Sequence, residues 1–101
     1  MELASCIKDI VNSFNCNDYF DSHAIINELL IKKEYHKVYL ESFPKGCSIA
    51  NYHGQIAQLI EKSDLAEKVI LHGKEVIVKT HTIYGELSSN HLWKRIYIYP
   101  S

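Results

Sequence analysis

Apolar residues recur every three or four positions through the first two thirds of the chain, which predicts helices. The clearest of these patterns runs from Ser48 to Lys62, and its apolar face consists of Ile49, Tyr52, Ile56, Leu59 and Ile60. Ser48 is suited to cap this helix, because a serine hydroxyl can accept from the free amides of the first turn. The opposite side of the predicted helix, called here the polar stripe, consists of Asn51, Gln55, Gln58 and Lys62. Gly54 lies beside this stripe, where an approaching surface would meet little obstruction.

Three shorter helical patterns come before the polar-striped helix. Their spacing predicts helices over residues 2–14, 22–33 and 34–42. No strong breaker separates the second pattern from the third, so a single bent helix is an alternative. A turn containing Pro44 and Gly46 then leads into the helix that begins after Ser48.

After residue 66 the period of the pattern changes from helical spacing to alternation. Residues 69–71 and 75–78 are rich in β-branched side chains and flank Gly73, which predicts a hairpin. Alternation continues to Tyr84, residues 85–91 read as a turn-rich loop, and residues 92–99 form the last predicted strand.

The last predicted strand has two apolar faces, and one of them carries three aromatic residues and an arginine. This aromatic face consists of Trp93, Arg95, Tyr97 and Tyr99. These residue types commonly anchor protein interfaces, so the face is a candidate partner-binding surface. The same pattern also fits the inner face of a sheet packed against helices.

Length and composition fit one small globular domain, with a helical part over residues 1–64 and a β part over residues 66–99. The chain has 101 residues, 47% of them hydrophobic and 23% charged. No apolar run reaches the roughly 20 residues that span a bilayer, so no membrane association is expected. The three cysteines form no CxxC pair and no secretory signal is visible, which favours free thiols in the cytoplasm.

Charge is distributed unevenly along the chain. The net charge is −1. Residues 1–67 contain six lysines and ten acidic residues, whereas residues 68–101 contain five basic and two acidic residues. A basic last third would orient the protein toward a polyanion such as nucleic acid.

The sequence shows no pattern typical of catalysis or metal binding. No two of the six histidines share a helix at metal-ligand spacing, and no cysteine–histidine pair has zinc-finger spacing. Nothing places a cysteine or serine nucleophile beside a histidine. The sequence therefore predicts no catalytic residue, no metal site and no cofactor, and an enzyme is not expected.

The order of the predicted elements resembles that of a winged helix-turn-helix domain. Three to four helices, the last with a polar stripe, precede a β-hairpin or small antiparallel sheet, so the expected fold is a small α+β winged-helix-like domain. The resemblance implies that the polar-striped helix enters the DNA major groove, with the hairpin as a wing on the backbone. By this resemblance Asn51, Gln55 and Gln58 match the base-reading face. The phosphate partners that it implies are Lys45, Lys62, Lys79, Lys94 and Arg95.

Two functions therefore follow as hypotheses from the sequence. The first is a DNA-binding protein whose partner is double-stranded DNA and whose role would be transcriptional regulation. The alternative is a protein-interaction module, a small regulator or inhibitor that uses the aromatic C-terminal face to bind a protein partner or to form a homodimer. The weak net charge favours the alternative, because phosphate neutralisation supplies much of the affinity for DNA.

Overall fold

The computed structural model describes residues 2–96, which form four helices and six strands. The helices are α1 (Leu3–Ser13), α2 (Ser22–Ile31), α3 (Lys33–Glu41) and α4 (Ile49–Lys62). The strands are β1 (Tyr19–Asp21), β2 (Ala66–Lys68), β3 (Ile70–Leu71), β4 (Lys74–Glu75), β5 (Ile77–His81) and β6 (Leu87–Arg95). All strand pairs are antiparallel, so the predicted α+β class is confirmed.

Side-chain caps define where the helices begin. The Ser48 hydroxyl accepts from the Asn51 amide at 3.1 Å, as the sequence predicts for α4. The Asp21 carboxylate accepts from the Ala24 amide at 2.8 Å at the start of α2. Lys32 has an extended backbone, with φ −87° and ψ 123°, so α2 and α3 are two separate helices. Caps of this kind satisfy amides that have no partner within the helix.

Strand β6 is the centre of the sheet. Its second half lies between β1 and β2, where Trp93 is opposite Phe20 on one side and Lys68 on the other. Its first half pairs with β5, from Ile77 opposite His91 to His81 opposite Leu87. The predicted loop over residues 85–91 is therefore wrong from Leu87 onward, because these residues form a strand.

The predicted hairpin around Gly73 is confirmed. β3 and β4 pair directly, with Leu71 opposite Lys74. His72 and Gly73 both have positive φ, at 52° and 77°, as a two-residue hairpin turn requires. This short hairpin separates β2 from β5 along the chain.

The helices and the sheet enclose one hydrophobic core. Its largest fully buried side chains include Trp93 and Tyr52, and the isoleucines of α1, α2 and α4 pack with them. The Trp93 indole N–H donates to the Ser22 hydroxyl at 2.9 Å, which links β6 to α2. No helix within residues 2–96 is both long enough and apolar enough to cross a membrane.

Candidate functional site

The polar stripe of α4 lies on the surface, where the sequence places it. Asn51, Gln55, Gln58 and Lys62 are all exposed. On the opposite side, Tyr52, Ile56 and Ile60 are at most 1% exposed and hold the helix against the core. The amphipathic pattern of α4 therefore directs its amide side chains outward.

The amides of the polar stripe are almost free of intramolecular bonds. Within residues 2–96 the side chains of Asn51 and Gln58 make no hydrogen bond, and Gln55 reaches only the Cys47 sulfur, at 3.9 Å. Gly54 lies among them, and a methyl group built on it would meet no atom within 4 Å. This surface is therefore chemically able to bind an external partner.

A cleft separates α4 from the β5–β6 hairpin. Its volume is about 870 Å³. Its helix side consists of Ile49, Ala50, His53, Gly54, Ala57, Gln58 and Glu61, and its hairpin side includes Thr82, Tyr84, Glu86, Leu87, Ser88, Ser89 and His91. Of the polar stripe, Gln58 lines this cleft together with the neighbouring Gly54, so the hairpin faces one edge of the stripe.

Asn90 ties the hairpin to the start of α2. Its side-chain oxygen accepts from the backbone amides of Ser22 at 2.8 Å and His23 at 3.4 Å. Its amide nitrogen donates to the Thr80 hydroxyl at 3.1 Å, and that hydroxyl shares a 2.7 Å hydrogen bond with His23 Nδ1. These bonds hold the hairpin in a fixed position relative to the helices.

Two tyrosines and a histidine join α4 to α3 beside the cleft. The Tyr52 hydroxyl donates to the Tyr39 carbonyl at 2.5 Å, and burial raises the pKa of Tyr52 to about 12, so the donor stays protonated. The Tyr39 hydroxyl lies 2.8 Å from His53 Nε2. Burial, assisted by the nearby His23, lowers the pKa of His53, so this ring is neutral at pH 7 and adds no positive charge to the cleft.

Charged side chains from four elements meet at one end of the cleft. Lys68 lies 3.8 Å from Glu61 and 3.6 Å from Glu75, with its ammonium 5.8 Å from the centre of the Trp93 ring. His91 contacts Glu75 at 2.9 Å, and this hydrogen bond, followed by the charge of Lys68, lowers the pKa of Glu75. No sequence pattern indicates this cluster, because its members come from β2, β4, β6 and α4 and share no local pattern.

The predicted basic residues have different environments. Lys62 and Lys79 are exposed, on α4 and β5 respectively, and Lys45 is exposed in the turn before α4. Lys94 is half-buried on β6, flanked by Tyr19 and Glu67. None of these four lysines lines the cleft.

Two residues of the predicted binding surfaces require correction, because they are buried. Trp93 is 1% exposed and Arg95 is 8% exposed. The Arg95 guanidinium donates to the Asn12 side-chain oxygen at 2.8 Å, to the Leu65 carbonyl at 3.3 Å and to the Ile96 carbonyl. Arg95 is therefore neither a phosphate contact nor a partner contact, and Trp93 belongs to the core. The other two residues of the aromatic face, Tyr97 and Tyr99, lie outside the described residues.

Among the described residues, no three histidine, cysteine or acidic side chains lie close enough to hold a metal ion. No protein-family model, curated protein or solved structure matches this chain. The geometry of α4, the hairpin and the cleft therefore carries the functional interpretation.

Proposed function

We propose that the protein binds double-stranded DNA as a winged-helix-like domain, with α4 in the major groove and the β5–β6 hairpin against the backbone. The observation that carries this proposal is the exposure of the polar stripe on α4. Within the described residues the only hydrogen bond of its amide side chains is the 3.9 Å contact of Gln55 with the Cys47 sulfur, and side-chain amides form hydrogen bonds with base edges in the major groove. An α-helix fits that groove, and the opposite face of α4 is anchored in the core.

The connectivity of the sheet supports the winged-helix interpretation. A short strand between the first two helices, β1, pairs with the last strand, and the strand order is β1-β6-β2. The β5–β6 hairpin follows the polar-striped helix after β2 and the short β3–β4 hairpin, and it lies across the cleft from α4. This is the arrangement expected of a winged helix-turn-helix domain, in which helix and wing contact the same duplex.

The distribution of charge indicates that only a few phosphates are neutralised. Three exposed lysines, Lys45, Lys62 and Lys79, are available near α4 and on the hairpin, whereas Glu61 and Glu86 line the cleft. Three phosphate contacts correspond to a slope of about −3 in log K against log salt. Affinity is therefore expected to be measurable at low salt and to fall steeply toward physiological ionic strength.

A salt titration of binding to mixed-sequence duplex DNA tests this proposal. Fluorescence anisotropy should give the slope of about −3, and Lys62→Ala and Lys79→Ala should each reduce it by about 0.9. Lys8→Ala, an exposed lysine on α1, is the matched control and should leave the slope unchanged. If the protein binds no duplex at about 20 mM salt, the DNA-binding proposal is wrong.

A second candidate function is association with a protein through the outer edge of β5. Ile77 on β5 is 51% exposed, and Ile70 and Leu71 on β3 are each 60% exposed. Within residues 2–96, β5 pairs only with β6, so its other edge is open to a further strand. Light scattering after size exclusion tests for a homodimer, which Ile77→Lys should dissociate. A monomer at all concentrations, with no partner lost on this substitution, would count against this candidate.

A further inference from the structure

The burial of Arg95 restricts which bases the protein can read. Arg95 is the only arginine in the sequence. The residue is 8% exposed, and its guanidinium donates hydrogen bonds to oxygens of three other residues. Arginine bonded to guanine is the commonest specific base contact in the major groove. No guanidinium of this protein is available for that contact.

The side chains on the exposed face of α4 are suited to adenine and not to guanine. Asn51, Gln55 and Gln58 are separated by four and three residues, so their amides lie along one side of the helix. An Asn or Gln amide both donates and accepts, which matches the adenine N7 acceptor and N6 donor as a bidentate pair. Guanine presents two acceptors at the same edge and does not match such an amide in this way.

The first turn of α4 also exposes an apolar group beside the polar stripe. Ala50 is exposed and precedes Asn51, whereas Ile49 belongs to the apolar face on the other side of the helix. Apolar contact with the thymine methyl group is the other readout of an A·T pair in the major groove, and alanine is one of the residues that make it. The helix thus combines amides for adenine with an apolar group for thymine.

We propose that α4 reads A·T base pairs, with adenine recognised by the amides of Asn51, Gln55 and Gln58 and a thymine methyl group contacted at Ala50. This inference rests on the proposed DNA-binding function. It adds the class of site that the protein prefers, namely one with A·T pairs in the stretch of groove that faces the polar stripe.

Selection from a random duplex library, followed by base-analogue substitution, tests the inference. The bound pool should be enriched in A·T pairs within a segment of a few base pairs. In the selected duplex, 7-deazaadenine removes the N7 acceptor and should weaken binding about 5- to 100-fold at each contacted adenine. 7-Deazaguanine at guanines of the same duplex should leave the affinity unchanged.

Side-chain variants identify which amide reads which base. Asn51→Ala, Gln55→Ala and Gln58→Ala should each relax the preference at one position and remove the effect of 7-deazaadenine there. Asn27→Ala, which alters an exposed amide on α2, is the matched control and should change neither affinity nor preference.

The outcomes separate this inference from the function on which it rests. Salt-dependent binding without sequence enrichment, or enrichment of G·C pairs opposite the stripe, overturns adenine reading and leaves DNA binding intact. Failure to bind any duplex at low salt overturns both. Enrichment of A·T pairs that is insensitive to 7-deazaadenine and to all three amide variants also overturns adenine reading through these side chains.

Discussion

The two halves of β6 have opposite environments although they belong to one continuous strand. In the second half, Trp93 and Arg95 are 1% and 8% exposed, and β1 and β2 flank the strand on both sides. In the first half, Leu87 is 60% exposed, and within residues 2–96 only β5 pairs with the strand. The second half therefore belongs to the core, and the first half belongs to a hairpin that lines the cleft.

This difference shows that the type of a residue does not by itself determine whether the residue is structural or available for binding. Tryptophan and arginine are the types that most often anchor interfaces, yet both are buried structural residues here. The exposed positions that line the cleft include Gln58, Glu61, Glu86 and Ser89, whose types are ordinary for a surface. Substitutions in the second half of β6 should therefore change stability, and substitutions on the exposed side should change binding.

Trp93→Ala should have the largest effect on stability. It removes the largest fully buried side chain and leaves the Ser22 hydroxyl without its indole donor. Replacing a buried tryptophan by alanine costs about 3–5 kcal/mol. Urea denaturation measures the loss. Leu87→Ala, at the exposed end of the same strand, should change the free energy of unfolding by less than about 0.5 kcal/mol, and equal losses would contradict the comparison.

Arg95→Met should lower stability without changing the salt dependence of DNA binding. It leaves the Asn12 side-chain oxygen and the Leu65 carbonyl without their guanidinium donor. We expect a loss of about 1–3 kcal/mol, reduced because the Arg95 Nε has no partner among the described residues and its desolvation cost disappears.

Lys79→Met should have the reverse effects on the free energy of unfolding and on the salt dependence of DNA binding. Lys79 is exposed on β5, so its removal should leave stability within about 0.5 kcal/mol and should flatten the salt slope. If Arg95→Met flattened the slope while stability was retained, the buried role assigned to Arg95 would be wrong.

Local signals explain which parts of the fold could be predicted. The sequence predicts α4 to within one residue, because its cap at Ser48 and its apolar spacing are both local signals. No sequence pattern predicts β1, because three residues are too few to show alternation and their pairing partners lie in β6, some 70 positions later. The break between α2 and α3 at Lys32 also carries no strong local breaker.

The start of β6 and the position of Arg95 depend on distant residues. Gly85 and the serines at positions 88 and 89 signal a turn, but the segment is a strand because β5 pairs with it and Asn90 bonds to α2. The burial of Arg95 depends on oxygens from Asn12 and Leu65, which no sequence pattern brings together. The exposed amides of the site could be predicted, whereas the cleft and its charged cluster could not.

Asn90→Ala should loosen the hairpin from α2, with an intermediate effect. The substitution removes the acceptor of the Ser22 and His23 amides and the donor to Thr80. Loss of such a cap costs about 0.5–2 kcal/mol. Asn90→Asp keeps the acceptor and places a negative charge at the helix N-terminus, so it should recover part of the loss.

Urea denaturation and amide hydrogen exchange at the start of α2 measure the effect of both Asn90 variants. Ser89→Ala, at the exposed neighbouring position, is the control and should leave the exchange of the Ser22 and His23 amides unchanged. Slow exchange of these amides in Asn90→Ala would show that the hairpin does not depend on this side chain.

Gly54→Ala should have the smallest effect on stability. It should raise stability slightly and lower the affinity for DNA. The added methyl group meets no atom within 4 Å, so only the better helix propensity of alanine acts, which is worth about 0.5–1 kcal/mol of added stability. In the DNA complex the same methyl group would separate the α4 backbone from the groove, so affinity should fall while the melting temperature rises. Gly85→Ala is the contrasting control, because its φ of 80° is strained for alanine and stability should fall. A Gly54→Ala protein that is more stable and binds duplex DNA with unchanged affinity would show that no groove approaches α4 at this position.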